Sequence, residues 1–213
     1  MKYYSLQGQD KWALDLLGHE KDGYFVDIGA HDGKHCSNTY VMEQLGWDGI
    51  CVEPNPNLRG FPSLIENRKC ICENLCIFSE ETEVDFVARG RRPQGSGIVM
   101  ESANRDIDKL VERGHPVIKV KAITLEQLLD KHNAPSVIDY INIDTEGSEY
   151  EILKVFNFNK YRFKTLTIEH NYFEGQGYPE AARIKRENIR NLLEANGYKF
   201  DKAVVADDWY TQL

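Results

Sequence analysis

An α/β fold with a largely parallel sheet follows from three features of the sequence. Short apolar runs alternate along the chain with helical patterns. The first run, Tyr24–Ile28, leads through a glycine turn into a helix. A second, Gly49–Val52, ends in Glu53, one strand–helix–strand unit beyond Asp27. Such a layout sets the two acids at the carboxyl ends of adjacent parallel strands, where α/β sheets bind ligands.

A helix over Gln9 to Leu17 precedes the first strand. Ser37 or Asn38 can cap a helix running to Leu45, with Gly46 as its stop. After Gly49–Val52, Pro54 and Pro56 break the chain, and a helix is expected from Asn57 to Glu66. Cys70–Phe78 and Thr82–Ala88 read as strands, the second alternating Val84, Phe86, Ala88. Thr124 and Gln127 form a capping box for a helix ending at Lys131. Val137–Ile143 is the most buried-looking strand, with a helix from Gly147 to Phe156 and a strand over Lys164–Ile168. A long helix covers Pro179 to Ala195 and stops at Asn196-Gly197. Tyr198–Phe200, Val204-Val205 and Trp209–Leu213 suggest a closing antiparallel pair.

Composition narrows the function classes. At 213 residues, one domain is expected, with 41% hydrophobic and 28% charged residues. A net charge of -8 argues against nucleic acid as a main partner. No apolar stretch has the length of a membrane span, and Met1–Gln7 lacks the apolar centre of a signal peptide, so a soluble, cytoplasmic protein is expected, with no membrane insertion. The chain could equally be a domain of a longer enzyme. Cys36, Cys51, Cys70, Cys72 and Cys76 are odd in number and lack a paired C-x-x-C, which favours buried free thiols over a zinc site.

The first glycine turn carries the chemistry. A dinucleotide fingerprint needs three glycines and a pyrophosphate at the helix start. Here only Gly29 and Gly33 occur, and Asp27 and Asp32 would repel a pyrophosphate. The same acids would attract a ligand bearing a sulfonium and an ammonium, as S-adenosylmethionine does. Glu53 is placed to accept from both ribose hydroxyls. A plain strand–turn–helix with surface acids is the alternative reading. His31 and His35 read as ligand contacts or surface residues, since no third metal ligand accompanies them and Asp32.

A second acidic group follows two later strands: Asp144-Thr145-Glu146-Gly147-Ser148-Glu149 and Glu169-His170-Asn171-Tyr172. If those strands are neighbours, Asp144, Glu146, Glu169 and His170 converge at the edge that carries Asp27 and Glu53. Three readings are open. His170 could act as a base, with the acids orienting a hydroxyl. Asp144, Glu169 and His170 could hold a divalent metal, Mg or Mn. Or the acids could cap helices, the preferred reading for Glu149 and Glu151. The basic, glycine-rich Arg89–Gly97 stretch is expected as a loop at the site edge. Arg183, Lys185, Arg186 and Arg190 are expected on an exposed helix face.

Together these segments resemble one family. Gly8-Gln9-Asp10, Phe25–Gly33, Ser37-Asn38-Thr39, Leu45-Gly46-Trp47, Cys51–Asn55, Thr124-Leu125, Ile143–Glu149, Ile168–Tyr172, Gly197-Tyr198 and Asp207–Tyr210 are similar to the pattern of FkbM-family methyltransferases. The resemblance implies a Rossmann-like, seven-stranded methyltransferase sheet, mostly parallel, with an antiparallel last strand and helices on both faces. It also implies a single methyltransferase domain over 1–213, with a helical leading segment at 1–22 and a mobile loop at 89–106. The implied cofactor is S-adenosyl-L-methionine, lined by Asp27, Gly29, Ala30, His31, Gly33, Ser37, Asn38, Thr39, Glu53, Pro54 and Asp144, with Cys76 flanking the adenine. The implied reaction is methyl transfer to an oxygen of a sugar, glycan or natural product, with Asp144, Glu169 and His170 as candidate catalytic residues. N- or carboxyl-methylation of a peptide or small metabolite, or a non-catalytic cofactor-binding module, are the alternatives.

Overall fold

The computed structural model describes residues 1–19, 21–90, 95–100, 105–172 and 180–213. Helix α1 (Gln9–Leu16) leads into β1 (Tyr24–Ile28), α2 (Tyr40–Gln44), β2 (Asp48–Val52), α3 (Phe61–Asn67) and β3 (Ile71–Glu73). Then come β4 (Cys76–Ile77), β5 (Thr82–Val87), β6 (Gly97–Ile98), α4 (Arg105–Glu112) and β7 (Val117–Ile123). The chain closes with α5 (Leu125–Lys131), β8 (Val137–Ile143), α6 (Glu149–Lys154), β9 (Arg162–Glu169), α7 (Glu180–Ala195), β10 (Tyr198–Val204) and β11 (Asp207–Gln212).

The larger sheet has seven strands in the order β10-β11-β9-β8-β1-β2-β3. Strands β1, β2, β3, β8 and β9 are parallel, while β11 runs antiparallel to both β9 and β10. The chain builds outward from β1 through β2 to β3, then returns to place β8 on the other side of β1. Strand order therefore reverses between β1 and β8, where the two strand ends diverge and leave a crevice. Alternation assigns the faces. Val26, Ile28, Ile50, Val52, Ile141 and Ile143 pack in one core with Leu128, Leu153 and Leu193. Phe25, Cys51, Tyr140 and Trp209 point the other way, toward Trp12, Met42 and Leu64.

The capping box at Thr124 is formed: Gln127 N donates to Thr124 Oγ1 at 3.1 Å and Thr124 N to Gln127 Oε1 at 2.9 Å. The helix expected from Asn57 starts only at Phe61, because Asn57 and Gly60 form a turn closed by a 2.7 Å backbone bond. The expected Cys70–Phe78 strand divides. Its first part is edge strand β3; after Asn74, β4 crosses to a second, four-stranded sheet of order β4-β7-β5-β6. Strand β5 matches the expected Thr82–Ala88 run, while the separate sheet it joins, β7 and α4 lie outside the sequence expectations. Lys119 and Lys121 interrupt the apolar pattern of β7, but they sit on its open face and pair with Asp85 and Glu81. Ile77 and Ile123 tie this sheet into the main core.

Two further expectations change. The 89–106 segment is not loop throughout, since it holds β6 and the start of α4; Arg91–Gln94 of the basic stretch lie outside the described residues. On α7 Arg183 forms surface pairs with Glu180 and Glu187. Lys185, Arg186 and Arg190 turn inward: Lys185 Nζ is 2.8 Å from Glu149, and both arginines bind Asp208. Buried acids on β11 and α6 draw in a face that the sequence pattern leaves to water. Among the described residues no helix is long and apolar enough to cross a membrane.

Candidate functional site

At the carboxyl end of β1 the backbone turns so closely under β8 that a side chain is excluded. Gly29 has φ +90°, and a Cβ there would lie 1.8 Å from the carbonyl oxygen of Asp144. The turn is pinned on both sides: Gly29 N and Ala30 N donate to Val52 O, and Asp144 N donates to Ile28 O. Asp27 is buried below it and accepts from Thr39 Oγ1 (2.6 Å) and Asn142 Nδ2 (3.0 Å). Both carboxylate oxygens are thus engaged by the protein, and Asp27 braces the turn. Burial raises its pKa against the bonds from Thr39 and Asn142 and the charge of Arg68.

Glu53 sits at the end of β2. Its Oε2 accepts from His31 N and its Oε1 from Asn55 N, each at 2.8 Å. Burial pushes its carboxyl up to about 7, against those two bonds. Each oxygen keeps a further lone pair for a ligand hydroxyl.

Two clefts meet over the turn and share Gly29, His31 and Asp144. The first encloses about 650 Å³ measured to its open mouth. Glu53 and Pro54 form one wall, and Leu75, Cys76, Ile77, Phe86 and Ile98 form an apolar slot. Most of that slot comes from the second sheet. Ser96 closes the rim, where its Oγ receives Asn55 Nδ2 and Arg89 N.

The second cleft, about 960 Å³ by the same measure, is lined by Ala30, Ser37, Asn38 and Glu169 and by residues from both chain ends. Leu6, Gln7 and Gln9 form a strap across it, held by Asp10, whose carboxylate accepts from Tyr4 N, Ser5 N and Ser5 Oγ. Gln9 Nε2 bonds Asp207 Oδ2 at 2.8 Å. Buried Gln7 Oε1, Asn38 Oδ1 and His31 Nε2 have no hydrogen-bond partner among the described residues. Gly33 and Thr39, both expected near the cofactor, line neither cleft; they back the turn against Leu64 and Arg68.

Strands β8 and β9 are neighbours, with Ile143 opposite Ile168, so the acids that follow them converge. Carboxylate oxygens of Asp144, Glu146 and Glu169 lie within 4.8 Å of one another. Asn171 Nδ2 bridges Glu169 (2.8 Å) and Glu146 (3.4 Å). Burial, followed by mutual repulsion, raises the pKa of Asp144 and of Glu169 well above the carboxylate range. Glu149 sits under this loop, accepting from Thr145 N and Gly147 N, and Lys185 and those backbone bonds hold its pKa low despite burial.

His170 is a correction. It is buried beside β11, away from the carboxylates: Tyr172 N donates to its Nδ1 at 3.0 Å, and its Nε2 is 3.5 Å from Asp208. With Nδ1 occupied and Nε2 turned to Asp208, no lone pair faces the cleft, either for a base or for a metal. Sequence reasoning also missed Gln7 and Asp207 as cleft residues and the apolar slot. Residues from opposite chain ends leave no local signal of their meeting.

A family model described as "Methyltransferase FkbM domain" matches residues 27–200. No curated protein matches the chain. Among solved structures, a precorrin-6y C5,15-methyltransferase from Geobacter metallireducens is 13% identical, with TM-score 0.46, covering 94% of this chain and 84% of that one. A putative RNA methyltransferase from Pyrococcus horikoshii is 13% identical, with TM-score 0.46 and coverage of 97% and 83%. A ribosomal protein L11 methylase from Lactobacillus delbrueckii is 10% identical, with TM-score 0.41 and coverage of 96% and 78%.

Proposed function

The chain belongs to the FkbM methyltransferase family, and from that premise we propose that it transfers a methyl group from S-adenosylmethionine to an uncharged hydroxyl, most fittingly of a sugar or glycan. The carrying observation is the make-up of the second cleft. Its described lining includes the acids Asp27, Asp144, Glu169 and Asp207, the histidines His31 and His35, and no lysine or arginine. A phosphate or carboxylate on the reacting part of an acceptor would meet like charge there. A hydroxyl-rich ring would supply the donors that Gln7 Oε1 and Asn38 Oδ1 lack.

The cofactor reading rests on the first cleft. Glu53 would take the ribose hydroxyls, and Cys76, Ile77, Phe86 and Ile98 would sandwich the adenine. The sulfonium methyl would then point past Gly29 and Asp144 into the second cleft, which both residues also line. Transfer is an in-line displacement, so alignment supplies much of the rate. The hydroxyl proton needs a receiver. A carboxylate among Asp144 and Glu169 suits this, since a raised pKa makes its ionised form a stronger base. The oxygen set of Asp144, Glu146 and Glu169 is also one that a divalent cation such as Mg²⁺ or Mn²⁺ accepts.

The test is a screen for S-adenosylhomocysteine release over neutral sugars, amino sugars, sugar phosphates, peptides and small metabolites, with and without EDTA. Turnover on neutral glycans is expected. Turnover on peptides alone would reject the acceptor class. Loss of activity in EDTA would assign the three carboxylates to a cation.

A further inference from the structure

Behind the cofactor turn, outside both clefts, three thiols surround a buried guanidinium. Arg68 Nη1 donates to Gly33 O (3.2 Å) and Thr39 Oγ1 (3.0 Å), and Nε donates to Glu43 Oε2 (2.6 Å). Its Nη2 is buried and has no hydrogen-bond partner among the described residues. Cys51 Sγ on β2 lies 3.6 Å from Cys70 Sγ, just before β3. Cys72 Sγ lies 3.5 Å from the carbonyl oxygen of Cys70. Cys51 is fully buried, while Cys70 is partly exposed.

We infer that Cys51 and Cys70 form a reversible disulfide that loosens the cofactor turn. The two thiols differ in the sense such chemistry needs. The neighbouring Cys51 and Cys72 thiols, together with the Arg68 charge, hold Cys70 far below an ordinary thiol, and burial holds Cys51 above one. The more accessible Cys70 sulfur reacts first, as its thiolate. The Cys70 thiolate attacks one oxygen of hydrogen peroxide, the O–O bond breaks, and hydroxide leaves. The sulfur of Cys51 then attacks the Cys70 sulfenic acid. The S–O bond breaks and the hydroxyl leaves as water with the Cys51 proton. The peroxide gains two electrons and the two thiols lose them.

Closing the pair to the disulfide length of about 2.05 Å draws Cys70 toward β2. Arg68, two residues earlier in the chain, is drawn with it. Arg68 is the side chain that holds Gly33 and Thr39 from behind, and Thr39 in turn braces Asp27. The turn therefore slackens and cofactor affinity drops.

The whole chain is treated with hydrogen peroxide, alkylated in denaturant and peptide-mapped, and S-adenosylhomocysteine binding is measured before and after. A Cys51–Cys70 cross-linked peptide is expected, about 2 Da lighter than the two thiols and reversed by dithiothreitol. The dissociation constant should rise about tenfold on oxidation. Cys51→Ser and Cys70→Ser should bind like the reduced protein, with or without peroxide. Cys51 still alkylated after peroxide, or a Cys70–Cys72 link in its place, overturns the inference, and so does a cross-link that leaves affinity unchanged. The affinity readout rests on the proposed cofactor, whereas the peptide map does not. If the reduced protein fails to bind S-adenosylhomocysteine, the cofactor reading fails, and the map still decides the disulfide.

Discussion

Glu53 carries two loads that a single substitution can separate. Its carboxylate organises the loops after β1 and β2 through His31 N and Asn55 N, and it offers lone pairs to a ligand. Glu53→Gln should weaken S-adenosylhomocysteine binding by about 1–3 kcal/mol in calorimetry, since hydrogen bonds to a charged acceptor are lost. Wild-type affinity should itself rise with pH through about 7, as the carboxyl ionises and becomes a pure acceptor. A flat affinity between pH 6 and 8 would remove Glu53 from the ribose. Gly29 is a simpler case. With φ +90° and 1.8 Å from a Cβ to Asp144 O, Gly29→Ala forces β1 and β8 apart, and a loss of about 3 kcal/mol or more is expected in urea unfolding.

At the scale of elements, α7 is the part whose role the sequence concealed. Its cations look alike on paper, yet they differ in what they meet. Lys185 has 11% of its side chain exposed and neutralises Glu149, which has none. Lys185→Met leaves a carboxylate buried without its cation, and a loss of about 3–5 kcal/mol is expected. Because Glu149 also holds Thr145 and Gly147, turnover should drop along with stability. Arg183→Ala, by contrast, breaks only solvent-exposed pairs, and its melting temperature should match wild type. Equal effects from the two variants would refute the inward placement of Lys185.

For the whole molecule, the concentration of acids around the crevice sets the pH dependence of stability. Burial holds Glu53 at about 7 and raises Asp27, so the folded apo protein keeps protons that the unfolded chain has already released. Stability is therefore greatest below the ordinary carboxylate range of these groups and is lost as pH rises toward 7. For Glu53, a rise from 4.5 to about 7 corresponds to at most about 3 kcal/mol. Apo melting temperature should fall between pH 5 and pH 8, and Glu53→Gln should flatten that slope. Asp208, held low by His170 and Arg186 against burial, works in the opposite sense only at more acidic pH. A melting temperature that climbs from pH 5 to 8 would contradict this account.

The parallel sheet, its strand-end acids and the family can be read from the residues in order. Those features are written in contiguous residues: β1 and β8 fall where their apolar runs stand, and Thr124 finds Gln127 within one helical turn. Asp27, Gly29 and Glu53 were legible for the same reason, since a strand delivers its last residue to the sheet edge whatever the rest of the chain does. The wall of the first cleft came from long-range pairing, because β4 and β6 are two residues each and join a sheet only through β7 and β5. The same holds for Gln9, which meets Asp207, whereas the meeting of Glu146 with Asp144 and Glu169 was expected once β8 and β9 paired. His170 follows Glu169 in the chain, yet it faces Asp208 instead of the cleft. Adjacent residues at a strand end point to opposite faces, and which face holds the partner is settled by the strand packed beside it, not by the order of residues.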